Sequence, residues 1–348
     1  MNEPQKAGTS REAAPISSPA PSLSHFVPIE SLVGNDVKAS ELSQAIAERS
    51  RPREPGPRPP WIKVTVHRND SFQELEQNVR DHNLHTVCEE ARCPNIYECW
   101  SRGTATFMLM GDVCSRHCGF CSVRNGNLLA LDPEEPVAVA QTIQRMGIRH
   151  AVITSVNRDD LPDGGSAHIA ATIRSVRELC SNTTVEMLVP DFLGNLEDVD
   201  RVLDADPEVF AHNTETVARL YDRVRSEADY DQSLLVLRHA ALRRDAVAAR
   251  RDSTGERLLR VKSGIMVGLG EKCEEVEATL RDLRECGVDV VTIGQYLAPT
   301  PRHLPVERFV TPSEFEALKR LGCELGFAHV ESGPLVRSSY RAERALDS

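Results

Sequence analysis

Residues 104–121 read TATFMLMGDVCSRHCGFC, an apolar run of strand character that stops at Gly111 and delivers three cysteines into the loop beyond it. The spacing, Cys114-x3-Cys118-x2-Cys121 with Phe120 before the last thiol, leaves a four-iron cube one ligand short. An iron without a protein ligand is open to another molecule. A second triplet, Cys88-x4-Cys93-x5-Cys99, lies just upstream, so six of the ten cysteines fall between Cys88 and Cys121. Two such sites side by side point to chemistry. Zinc is the competing occupant of the downstream loop, with Cys114, His117, Cys118 and Cys121 as possible ligands, but four positions crowded into one loop rarely wrap a single tetrahedral ion. A redox Cys-x2-Cys pair leaves Cys114 unexplained.

Beyond this loop, short apolar strands alternate with amphipathic helices. Strands are expected at 104–110, 150–154, 185–189, 209–212, 264–267 and 290–294, and helices at 167–180, 196–203, 274–286 and 312–325. A further helix is expected over 72–87, capped by Asp70 or Ser71. Such alternation predicts an α/β fold with a parallel sheet, either open or an incomplete barrel. Polar residues follow the strands: Ser155, Asn157 and Asp159 after the second, Pro190-Asp191 after the third, Asn213 and Glu215 after the fourth. The carboxyl ends of parallel strands are where such folds place their sites.

Subtracting 52 acidic from 41 basic side chains leaves −11, a balance that disfavours a nonspecific grip on nucleic acid. No apolar run approaches the ~20 residues that span a bilayer. The first residues, MNEPQKAGTSREAAP, have no apolar signal core and carry Glu3 and Glu12, unlike an organelle leader, so a reducing, cytoplasmic location is expected. Residues 1–60 contain ten of the 21 prolines and one aromatic, Phe26, which fits a disordered Pro-rich arm. The stretch 238–260 reads as a basic, solvated helix followed by a turn at Ser253-Thr254-Gly255.

The Cys114–Cys121 loop resembles the cluster loop of radical S-adenosylmethionine enzymes. The upstream triplet, together with GTATFMLMGDVC, TSVNRDDLPDGG, VPDF, HNTETV, KSGIMVGLGE, YLAPTPRHLPV and GPLVRSSY, is similar to lipoyl synthase in that order over residues 65–341. The resemblance implies a partial (β/α)6 TIM-like barrel over 104–326. An extension over 61–103 would bind the auxiliary cluster, and a carboxy-terminal segment over 327–348 would close on it. It implies S-adenosylmethionine and two 4Fe-4S clusters, one on Cys114, Cys118 and Cys121, the other on Cys88, Cys93 and Cys99 with Ser339 as fourth ligand. Ser338 is the alternative ligand. The implied reaction inserts two sulfur atoms at C6 and C8 of an octanoyl-lysine, each insertion consuming one S-adenosylmethionine, with the auxiliary cluster as sulfur donor. Implied partners are octanoylated lipoyl carrier domains (dehydrogenase E2 subunits and the glycine cleavage H protein), an iron-sulfur carrier, and a flavodoxin or ferredoxin.

By the same resemblance Ser155, Asn157, Asp159 and Glu186 belong near the amino acid or ribose of S-adenosylmethionine, with Asn213 and Glu215 as further candidates. Carboxylates and amides suit an ammonium and a diol, although each of these residues is also suited to capping a helix or satisfying a loop. Lys262 and Arg337 are candidates for balancing cluster charge. Gly268 and Gly270 fit a tight turn, and Cys180, Cys273, Cys286 and Cys323 read as quiet thiols. The chain departs from the family pattern at Arg341-Ala342-Glu343, and the Pro-rich arm has no evident counterpart. Competing readings are another radical sulfur-inserting enzyme, of biotin synthase or methylthio-transferring type, and a zinc-stabilised binding module.

Overall fold

The computed structural model describes residues 58–63, 68–81, 84–90, 93–101, 104–249 and 259–346. Nearly all of the expected arm, and the turn expected at 253–255, lie outside them. Ten strands are present among the described residues. Eight form one sheet in the order β1-β2-β5-β6-β7-β8-β9-β10, and β3 (Val113–Cys114) pairs with β4 (Arg124–Asn125) in a second.

Six expected strands are there, as β2 (Thr106–Leu109), β5 (His150–Ser155), β6 (Thr184–Leu188), β7 (Val209–Ala211), β8 (Arg260–Val267) and β9 (Val290–Gln295), each parallel to its neighbour. Their side chains are mostly apolar and nearly all buried, because helices cover the outer face of the sheet. The first and last strands of the order do not pair, so the barrel is partial. Between strands the helices fall within a residue or so of expectation, at Ser166–Leu179, Leu196–Leu203, Cys273–Glu285 and Pro312–Glu324. The last begins at a Thr311 cap whose partner is Glu314, with proline at the first helical position.

Two edge strands escaped the sequence reading. β10 (His329–Gly333), from the carboxy-terminal segment, adds a seventh parallel strand beside β9. β1 (His85–Thr86) runs antiparallel to β2, pairing Thr86 with Phe107. The expected helix over 72–87 therefore ends early, at Asp81. Its cap is Asn69, whose side chain accepts from Phe72 N–H at 3.0 Å, in place of Asp70 or Ser71. Thr86 is fully buried against the sheet, and pairing an otherwise open strand edge outweighs one more helical turn.

The basic helix spans Tyr230–Ala248, and its charged face is not simply solvated. Arg243 reaches Asp200 and Asp204, His239 reaches Asp200, and Arg244 reaches Asp289. Ser233, Val236, Leu237, Ala240 and Ala241 are buried on its inner face. At the end of β8, Gly268 has φ +101° and an added Cβ would lie 2.1 Å from Gln295 Nε2. A tight turn accounts for it.

Candidate active site

The chain leaves β2 through two left-handed residues, Met110 (φ 67°) and Gly111 (φ 86°). Such a conformation is strained for methionine. It is held by Glu135, whose carboxylate accepts the Met110 N–H at 2.9 and 3.1 Å and meets His168 Nε2 at 2.6 Å. This bend throws Cys114 and its loop over the carboxyl ends of the strands.

Four anchors hold the loop there. Arg116, buried between the first two cysteines, donates to Asp159 (2.7 and 2.9 Å) and to Asp191 (2.7 and 2.8 Å). Gly119 N–H donates to Val224 O at 3.0 Å, and Gly119 O accepts from Leu304 N–H at 3.1 Å. His303 Nε2 meets Cys121 O at 2.9 Å, and Asn125 donates to the Arg116 carbonyl. An added Cβ at Gly119 would lie 3.0 Å from Leu304 and 3.1 Å from the Arg223 carbonyl, which is why this position carries glycine. Cys114 Sγ accepts N–H groups from Asn157 at 3.3 Å and Arg116 at 3.5 Å. Burial pushes the Cys118 thiol up to about 12 and Cys121 up to about 11, and the neighbouring thiols and Glu215 push the same way. A multivalent cation is the natural means of ionising such thiols together.

His117, the fourth ligand a zinc ion would need, is exposed and turned to Glu227, which its ring meets at 3.4 Å. Among the described residues, neither triplet brings three ligand atoms within 4.8 Å of one another; only His85, Glu90 and Asp112 do. Thiolates on one tetrahedral zinc, bound at about 2.3 Å, would lie about 3.8 Å apart. Neither triplet is therefore drawn together as a mononuclear zinc site would require.

In the second triplet, Cys88 is buried on the short helix Val87–Glu90, and Cys99 lies on the helix Ile96–Ser101 with Cys93 between them. Backbone bonds from Cys93 N–H to Cys88 O (3.0 Å) and from Cys99 N–H to Asn95 O (2.9 Å) shape the loop. Burial, then the Cys93 charge, raises Cys88 to about 11. Cys93 is also raised by burial, with Arg337 opposing.

The carboxy-terminal turn comes to this triplet. Asn95 Nδ2 donates to Leu335 O at 2.6 Å, and Tyr340 Oη donates to Glu98 Oε1 at 3.2 Å. Val336 O would lie 2.2 Å from a Cβ at Gly294, so the turn rests directly on β9. Ser338 and Ser339 sit between Arg337 and Tyr340, and neither hydroxyl has a hydrogen-bond partner among the described residues.

The candidates for S-adenosylmethionine divide into two groups. Ser155 Oγ and Asn213 Oδ1 are buried without partners. Glu215 adopts φ 67°, accepts from Asn213 Nδ2 at 3.1 Å and is raised by burial. A Cβ at Gly264 would lie 2.6 Å from Thr292 Oγ1 and 2.9 Å from Asn213 Oδ1, so the bare glycine lets these two side chains, one with an orphaned acceptor, lie directly on β8. Orphaned polar atoms and a strained carboxylate suit a polar cofactor. Asn157 contributes its backbone to the loop, its carbonyl accepting Ser115 N–H at 3.1 Å.

Asp159 and Glu186 are already engaged. Asp159 holds Arg116 and Ser115 Oγ (2.8 Å), and buried Glu186 accepts from Lys262 Nζ at 2.7 and 2.9 Å. Lys262 is 1 % exposed and spent on that pair, leaving Arg337 as the cation beside Cys93. The reading missed Arg116, Arg225 and His303 as site residues and placed Asp191 among the polar strand ends without giving it a partner. The visible signals were the strand-end position of Asp191 and the position of Arg116 between two cysteines. Arg225, buried, donates to Asn213 O at 2.8 Å and lowers the cost of ionising Cys118.

A family model described as the radical SAM superfamily matches residues 108–283, and one described as the N-terminal domain of lipoyl synthase matches residues 4–93. The second match takes in the Pro-rich arm, which therefore does have a family counterpart. The chain is 54 % identical over 312 residues to lipoyl synthase of Rubrobacter xylanophilus, covering 90 % of this chain and 92 % of the relative. It is 50 % identical over 324 residues to that of Thermus thermophilus, covering 92 % and 96 %. Among solved structures, Streptococcus suis SuiB bound to S-adenosylmethionine aligns with a TM-score of 0.50 at 11 % identity, over 78 % of this chain and 58 % of that one, a likeness of fold alone.

Proposed function

The chain belongs to the lipoyl synthase family of radical S-adenosylmethionine enzymes, and from that premise we propose how its residues insert sulfur at C6 and C8 of a carrier-bound octanoyl-lysine. When bound, the cluster on Cys114, Cys118 and Cys121 supplies the electron that turns S-adenosylmethionine into a hydrogen-abstracting radical, and the cluster on Cys88, Cys93 and Cys99 supplies the sulfur. Ser339 contributes an oxygen ligand to the auxiliary site. Oxygen is harder than thiolate and suits a ligand that has to let go.

Ser155, Asn213 and Glu215 bind the polar part of S-adenosylmethionine, with Asn157 at the edge of that group. Asp159 and Glu186 act at one remove, through Arg116 and Lys262. Arg225 and Arg337 offset negative charge beside the two triplets. The division of the chain into an arm (1–60), an extension (61–103), a barrel (104–326) and a closing segment (327–348) belongs to the same proposal, with β10 as the point where the closing segment joins the sheet.

One observation carries the reading. The turn bearing Ser339 is tied by Asn95 and Glu98 to the loop between Cys93 and Cys99, across some two-thirds of the sequence. A binding module would have no use for an unclosed thiol triplet whose loop is tied to a serine-bearing turn from the far end of the chain.

The substrates are lipoyl carriers. We infer the dehydrogenase E2 subunits and the glycine cleavage H protein among them, an iron-sulfur carrier to rebuild the auxiliary site, a flavodoxin or ferredoxin as reductant, and a cytoplasmic setting. No described helix is long and apolar enough to cross a membrane. The deciding experiment is anaerobic reconstitution, iron and sulfide analysis, and a single turnover on an octanoyl-lysine peptide followed by mass spectrometry. About eight irons per chain with sulfur added to the peptide supports the proposal. Eight irons with deoxyadenosine and no sulfur rejects the substrate, and zinc without iron rejects the enzyme.

A further inference from the structure

We propose that Arg116 is a positioning residue for the radical cluster: by clamping Asp159 and Asp191 it keeps the Asn157 N–H on the Cys114 sulfur and so sets the potential of the cluster built there. The inference rests on the reading of Cys114, Cys118 and Cys121 as cluster ligands.

The clamp is unusual in its completeness. One guanidinium, 4 % exposed, makes four hydrogen bonds of 2.7 to 2.9 Å to two carboxylates carried by the loops after β5 and β6. A planar fork of donors can meet two carboxylates in this way, and a lysine ammonium cannot. Asp191 is fully buried and also accepts Leu193 N–H at 3.1 Å, so it cannot turn away. Asp159 is fixed from the other side, its N–H on Ser115 Oγ at 3.2 Å and its Oδ2 accepting from the same hydroxyl at 2.8 Å.

What the clamp joins is the informative part. Asn157 N–H reaches Cys114 Sγ from the β5 loop, and Arg116 N–H reaches it from the cysteine loop. The Asn157 donor stays on this sulfur only while the two loops keep their spacing, which Ser115 supports through Asp159 and the Asn157 carbonyl and which Arg116, gripping Asp159 and Asp191 together, fixes against the β6 loop as well. Hydrogen bonds to a ligand sulfur stabilise the extra negative charge of a reduced cluster and raise its potential. The clamp exists among the chain's own groups, so the cluster is received by a loop already shaped for it.

Potentiometric titration of the S-adenosylmethionine-responsive electron paramagnetic resonance signal tests this in reconstituted R116K and D159N. R116K keeps the charge and loses the fork. D159N is nearly isosteric at a partly exposed position and gives a folded second variant. The expected result is a reduction equilibrium at least ~tenfold less favourable, about 59 mV for one electron, with full iron content and deoxyadenosine formation restored by a stronger reductant. A clamp that served only stability would lower the melting temperature and leave the potential unchanged. Potentials equal to wild type in both variants overturn the inference. A wild-type protein with no S-adenosylmethionine-responsive signal overturns the reading of the ligands themselves.

Discussion

Tyr340 donates its hydroxyl to Glu98 Oε1 at 3.2 Å, joining residues 242 positions apart. With the bond from Asn95 to Leu335 O, it lays the Arg337-Ser338-Ser339-Tyr340 turn against the auxiliary triplet. Ser339→Ala is therefore expected to lower sulfur insertion ~100-fold or more, the scale on which lost metal-site groups act. Deoxyadenosine formation should continue. Product analysis by mass spectrometry decides it, and undiminished sulfur insertion removes Ser339 from the ligand set in favour of Ser338.

The two triplets should separate by product. Cys93→Ala is expected to halve the iron and abolish sulfur insertion while deoxyadenosine is still formed. Cys118→Ala should abolish both products. Loss of deoxyadenosine in the Cys93 variant would contradict the division of labour between the triplets.

Lys262 and Glu186 form a fully buried pair reaching from β8 to β6 across the intervening β7. Removing Lys262 leaves the buried Glu186 with only His150, at 3.7 Å, beside it, at a cost of up to about 3–5 kcal/mol. Lys262→Met is expected to lower the unfolding free energy measured in denaturant by up to that amount, and adding Glu186→Gln should recover most of it. An unchanged unfolding free energy in Lys262→Met would show that His150 alone satisfies Glu186.

Acid should weaken the fold through two carboxylates. Beside Arg116, Asp191 is held down at about 2 against 3.8, despite burial that opposes this. Glu186 is also lowered, by Lys262 and His150 against the same burial penalty. A depressed folded value means stability that is complete above the unfolded value and is lost as pH falls through the folded one. Urea midpoints should be level from pH 7 to about 5 and fall steadily toward pH 2, with Asp191 contributing roughly 2 kcal/mol. A level profile down to pH 3 would count against both pairs.

Gly264→Ala should fold and bind S-adenosylmethionine at least ~tenfold more weakly, because its methyl group, under 3.0 Å from Thr292 Oγ1 and Asn213 Oδ1, pushes Asn213 out of place. Gly268→Ala places a methyl against Gln295 Nε2 and the Arg308 carbonyl at φ +101°, and should lose about 1–3 kcal/mol of stability. Calorimetric binding and thermal melts distinguish the two. Equal ligand affinity in Gly264→Ala would move the cofactor away from β8.

The central strands were legible because a strand buried on both faces is written as a short apolar run. β8 begins four residues earlier than the reading allowed, since Lys262 looks like surface until Glu186 is set beside it. β10, the His-Val-Glu-Ser-Gly stretch, has one apolar side chain and no strand signature of its own. It exists because β9 offers it an edge. His85 and Thr86 likewise continue a helical pattern by themselves and become a strand only against Phe107 and Met108.

The cysteine spacings, the strand-loop-helix alternation and the polar strand ends were determined by sequence alone, because each depends on residues close together in the chain. The partners of the charged side chains were decided by the tertiary structure. Asp159 and Glu186 have the chemistry to hold an ammonium or a ribose as well as they hold Arg116 and Lys262. A carboxylate accepts whichever donor lies within about 3 Å, and only the packing of strands from distant parts of the chain brings that donor there.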